Sequence, residues 1–124
     1  MNLTGKELEI MQVLWGSDSP MTAADIIAAS PERTWQEVSV HTILKNMVAK
    51  GVVVVDHLVP TTGRSANAYK AVFTAAQCAL EQVQTYGVSI EDLISAAHQD
   101  EKYAKFLLTK SGWFEKKDEL NGTE

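Results

Sequence analysis

The thirty residues from Trp35 to Arg64 constrain the fold of this chain more than any other stretch. From about Gln36 to Lys50, Val40, Ile43, Leu44, Met47 and Val48 recur at i, i+3, i+4, i+7 and i+8. That spacing predicts one buried stripe on a helix. The opposite face is polar, with Ser39, His41, Thr42, Lys45 and Asn46. Gly51 follows, a residue suited to the left-handed backbone just past a helix end. Val52 to Val55 is a β-branched run that Asp56, His57, Leu58 and Val59 extend, so a strand is predicted there. Pro60 to Asn67 is rich in Pro, Thr, Gly and Ser and reads as a loop with Gly63-Arg64 at its tip. Ala68 to Phe73 reads as the return strand. A two-stranded hairpin is marginal alone, so it must pack on helices.

Those helices are legible upstream. Thr4 with Glu7 has the spacing of a capping box, in which each side chain satisfies the other's free backbone N–H. Leu8, Met11, Leu14 and Trp15, with Ile10 beside them, then follow at helical spacing, and Gly16 to Pro20 stops the run. Thr22 and Asp25 repeat the cap before Ile26, Ile27 and Ala29, and Ser30-Pro31 ends this short second helix. Downstream, Thr74 is placed to cap a helix from Ala75 to about Tyr86, ended by Gly87, and Ser89 with Asp92 marks another start.

The predicted fold is therefore mainly α with a small β-hairpin. The order α-α-α-β-β is that of a winged helix-turn-helix, expected over residues 1–74, and a helical region follows over 75–124. Leu80, Val83, Leu93, Ile94, Phe106 and Leu107 are more apolar side chains than short helices without a sheet can cover by themselves. They are expected to bury against a second copy of the chain, giving a symmetric homodimer. Glu115 to Glu124 is polar and expected to fray.

Charge bears on the partner. The net charge is -5, whereas binding nucleic acid normally needs a basic footprint. The acidity is uneven: residues 1–74 hold six basic and seven acidic side chains, residues 75–124 five and nine. No apolar run approaches the about 18 to 20 residues that span a bilayer, so no membrane association is expected. Asn2 to Glu9 is already polar, so no secretory leader is expected and the predicted location is cytoplasmic. Cys78 is the only cysteine, which excludes an internal disulfide, and it reads as a small apolar helix residue. His41, His57 and His98 lack ligand spacing, so no metal or other cofactor is predicted. No Ser-His-Asp set, phosphate loop or close carboxylate pair stands out, so no enzyme is predicted either.

Leu3-Thr4, Glu9-Ile10-Met11 and Val13-Leu14-Trp15 resemble the start of the penicillinase and methicillinase repressors and their copper-repressor relatives, the BlaI/MecI/CopY family. Thr22-Ala23 with Asp25-Ile26-Ile27 resembles its second helix. Trp35, Thr42-Ile43-Leu44, Val48 and Lys50-Gly51 resemble its third helix and exit, and Tyr69 falls where the wing's return strand carries an aromatic. The likeness covers about residues 3–74. It implies a winged-helix repressor that binds palindromic double-stranded DNA operators as a homodimer through a helical C-terminal region. Three departures stand beside it. The sensor-controlled relatives are inactivated by cleavage at an Asn-Phe bond, but Phe73, Phe106 and Phe114 follow Val72, Lys105 and Trp113. Copper-responsive relatives carry a C-terminal cysteine cluster that Cys78 alone cannot supply. The third helix begins Gln36-Glu37-Val38, where relatives more often place Ser or Thr, Pro and a basic residue.

The candidate DNA contacts are thus Ser39, His41, Thr42, Lys45, Asn46 and Arg64. Hydroxyls, Lys and Arg suit phosphates, while Asn and His can reach base edges. The same polar pattern suits a solvated helix face. The alternative function is accordingly a winged-helix module that docks protein and has no specific DNA binding. Trp15 and Trp35 are expected in the core, and Lys50 suits a phosphate or the negative end of its own helix equally.

Overall fold

The computed structural model describes residues 2–105, so Phe106, Leu107 and the tail from Glu115 lie outside the described residues. The chain divides into two compact units, Met1–Glu81 and Gln82–Glu124.

The first unit opens with α1, Gly5–Trp15, and α2, Ala23–Ala28. Both begin on the predicted capping boxes: Thr4 with Glu7 and Thr22 with Asp25 exchange side-chain-to-backbone hydrogen bonds of 2.8 to 3.2 Å. A 3-10 turn, Glu37–Ser39, leads into α3, Val40–Ala49. Gly51 follows with φ of +77°, the left-handed conformation that turns the chain into the wing at little steric cost. The wing is an antiparallel pair, β1 Val53–Thr61 and β2 Arg64–Ala71. Met21 extends it on the far side of β2 through both backbone hydrogen bonds to Tyr69, at 2.9 and 2.7 Å. The hairpin is thereby tied to the link between α1 and α2. Then come α4, Ala75–Thr85, and α5, Ile90–Gln99, with residues 101–105 also helical.

The core of the first unit is one cluster. Ile10, Met11 and Leu14 of α1, Ile26 of α2, Trp35, and Val40, Ile43, Leu44 and Met47 of α3 close on Val52, Val53 and Tyr69 of the wing, with Cys78 at one side. Trp15 packs against it and donates its Nε1–H to the Phe73 carbonyl at 2.8 Å, joining the end of α1 to the end of the wing. Both tryptophans are thus structural. Burial also pushes the Cys78 thiol up, away from the reactive thiolate.

Three details differ from expectation. Leu8 and Val48 are exposed, because each lies about a quarter turn from the middle of its helix's buried stripe. On α1 the inward place belongs instead to Glu7, which is only 3% exposed. Helix three begins at Val40, after a 3-10 turn, rather than near Gln36. The expected Pro60–Asn67 loop is almost wholly strand: the ladder runs out to Thr61 opposite Arg64, leaving Thr62 and Gly63 as the turn. Gly63 has φ of +73°, which lets so short a turn close. A strand with an open edge also tolerates Pro60, which has no N–H to give.

Glu7 is kept charged by an ion pair. Lys50 Nζ donates to Glu7 Oε1 at 2.5 Å and to the Asn2 carbonyl at 2.7 Å, clamping the start of α1 to the end of α3. Burial pushes the Glu7 carboxyl up, but the Lys50 and Thr4 hydrogen bonds and the Lys50 charge outweigh it and hold the carboxyl below its ordinary value of 4.5. A carboxyl lowered by folding stabilises the protein fully above its unfolded pKa, and that stabilisation is lost as pH falls through the lower folded value. Denaturant unfolding between pH 7 and 3 checks this. Glu7→Gln should lower stability by about 1–2 kcal/mol at pH 7, and the gap to the wild type should close below about pH 4.5.

Candidate nucleic-acid interface

At about 100° per residue, the four buried side chains of α3 define one side of the helix. His41, Thr42, Lys45 and Asn46 all fall on the opposite side and are exposed. Burial of the stripe therefore determines which face α3 can offer. Ser39 stands at the N-cap of α3, half-buried, and its side chain makes no cap hydrogen bond.

Arg64 is the first residue of β2, beside the turn rather than in a loop, and it is exposed. The wing folds toward the helices so that a cleft of about 510 Å³ opens between them. Thr22 to Asp25 at the start of α2, His41 of α3, and Thr61 and Arg64 of the wing line it. His41 and Arg64, far apart in sequence, thus share one surface. Lys45 and Asn46 lie further along the same face of α3, outside the cleft.

Charge pairing distinguishes the cations. Arg33 bonds Glu37 at 3.0 Å and lies over the Trp35 ring, 5.5 Å from its centre. Lys50 is held by Glu7. Lys70 reaches Asp56 at 3.2 Å, and His57 donates to the same carboxylate at 2.7 Å. These bonds, that of His57 foremost, hold the Asp56 carboxyl below the usual carboxylate range. Asp56 is the extra residue of a β-bulge between Val55 and His57, and the bulge presents its side chain to both partners. Among the described residues, Lys45 and Arg64 make no ion pair. They stand on α3's outward face and at the wing tip. The pair with Arg33 also compensates the charge of Glu37 in place, at the start of the helix.

Lys50 has a structural role that no sequence spacing could reveal, because its partner Glu7 is 43 residues away. One exposed residue beside this face was not among the candidate contacts: Val38, in the 3-10 turn. It is 83% exposed, and its spacing to His41, Thr42 and Lys45 was the available signal. His41, His57 and His98 sit on α3, β1 and α5, and among the described residues no cluster of His, Cys, Asp and Glu could hold a metal ion. No described helix is long and apolar enough to cross a membrane.

A family model described as penicillinase repressor matches residues 3–109. Comparison with curated proteins found no match.

Phosphate contacts weaken with salt and ignore sequence, whereas base contacts discriminate. Lys45→Ala and Arg64→Ala should each weaken binding to every duplex about equally and reduce the salt slope by about one unit. Asn46→Ala should cost about 1–3 kcal/mol on the preferred duplex and much less on random DNA. Binding isotherms on preferred and random duplexes across a salt series check both. Equal losses on both duplexes for Asn46→Ala would remove that residue from base readout.

Proposed function

The chain belongs to the penicillinase repressor family, a family of DNA-binding winged-helix repressors of transcription, and we propose that it acts as a homodimer on a palindromic operator. In this reading α3 enters the major groove, where His41, Thr42 and Asn46 face base edges. Ser39 and Lys45 hold the groove-lining phosphates, and Arg64 reaches the flanking backbone from the wing. Residues 1–74 form the DNA-binding region, and residues 75–124 pair the subunits. Transcription is blocked by occupancy of the operator, which also implies a cytoplasmic location beside the DNA.

The observation that carries the reading is the combination on one surface. A polar helix face lies opposite the core, and Lys45 and Arg64, which make no ion pair among the described residues, stand on that face and at the wing tip. A chain with net charge -5 can bind DNA when exposed cations stand on the binding face, and most of its acidic excess falls in residues 75–124. Dimerisation is supported by α5. Ile90, Leu93, Ile94 and Ala97 recur at i, i+3, i+4 and i+7, and the three large ones are 45–46% exposed. A stripe of this kind gains stability when a second copy covers it.

Selection of bound fragments from random DNA tests the reading. The expected product is an inverted repeat with half-sites about one helical turn, roughly 34 Å, apart. Leu93→Glu should give a monomer by light scattering and weaken operator binding by about a hundredfold or more, the loss of linked half-sites. Absence of any selected sequence would favour the protein-docking module, and a wild-type monomer at micromolar concentration would contradict the homodimer.

A further inference from the structure

Val38 is the most exposed of the large apolar side chains among the described residues, at 83%. It does not stand at random. It lies three, four and seven residues before His41, Thr42 and Lys45, so it continues their row at the N-terminal end of α3. In helix-turn-helix proteins that end of the reading helix meets the base edges. Its surroundings favour a base over a phosphate. Glu37 beside it is held by Arg33 and adds no free positive charge. Ser39 is half-buried, and the nearest cation without an ion pair on the helix, Lys45, is seven residues on. An apolar group in the major groove has one chemical complement, the C5-methyl of thymine. Valine suits the contact, because its β-branched side chain is stiff at χ1 and loses little freedom on docking.

We propose that Val38 reads a thymine, packing its methyl groups on the C5-methyl at one position in each half-site. The inference rests on the DNA-binding reading above and deepens it by adding an apolar, specificity-determining contact.

The test uses the full chain and its selected operator. Each thymine is replaced in turn by uracil, which removes the methyl group and leaves the base edges unchanged. One position per half-site should then weaken wild-type binding by about fourfold, the value of one methyl withdrawn from water. Val38→Ala should bind the thymine and uracil duplexes equally at that position, while Arg64→Ala should retain the fourfold preference. Equal melting temperatures for Val38→Ala and the wild type establish that the fold is intact, as an exposed side chain requires. A specific operator with no uracil-sensitive thymine, or a preference that survives in Val38→Ala, overturns the inference and leaves the repressor reading standing. A chain that selects no DNA overturns both.

Discussion

Val40, Ile43, Leu44 and Met47 withdraw one side of α3 from water and lock it against α1, α2 and the first residues of the wing. Every outward feature depends on that contact. A helix held by one stripe cannot rotate without exposing it, so the opposite residues have a fixed direction. The 3-10 turn at one end and Gly51 at the other set where α3 starts and stops. Lys50 adds a tether, pinning the end of α3 to Glu7 and Asn2 at the start of α1. The wing is held as firmly as the helix. Met21 pairs with Tyr69, Val52 with Val72, and Trp15 with the Phe73 carbonyl, so the hairpin has backbone and side-chain anchors at its base while its tip stays open.

The electrostatics follow from the same packing. Arg33, Lys50 and Lys70 are consumed in ion pairs that shape the α2–α3 link, the α1–α3 clamp and the wing bulge. Surface pairs contribute little stability, but they do neutralise. Among the described residues, Lys45 and Arg64 are left without an ion pair, on the outward face of α3 and at the wing tip, while Asp25 lines the cleft beside Arg64. In the proposed reading, two such cations per subunit would give weak non-specific attraction, and strong binding would come from base contacts and from doubling the site.

Much of this was legible in the sequence. Local signals read correctly: the Thr4–Glu7 and Thr22–Asp25 boxes, the α3 stripe, Gly51 and the Ser89 cap all involve residues within a few positions of each other. The polar face of α3 followed from the stripe by geometry. What failed was tertiary or depended on pairing. Pro60 to Asn67 has loop composition, yet pairing across a two-residue turn makes it strand. Glu7 reads as a surface cap residue, and only the approach of Lys50 from α3 explains its burial. Leu8 and Val48 are apolar but fall just outside the buried arc. Val38 is apolar, so the polar pattern of α3 did not select it, and only its 83% exposure in the 3-10 turn places it with that face.

An NMR titration of the full-length, isotope-labelled chain with its selected duplex probes the central claim directly, since each backbone amide reports its own surroundings. The claim predicts that the largest shifts fall on residues 38–46 and 62–65. Amides of the α1 core face, and those of α5 in the proposed dimer, should move little. Shifts confined to α5, or absent from α3 and the wing tip at saturating DNA, would contradict it.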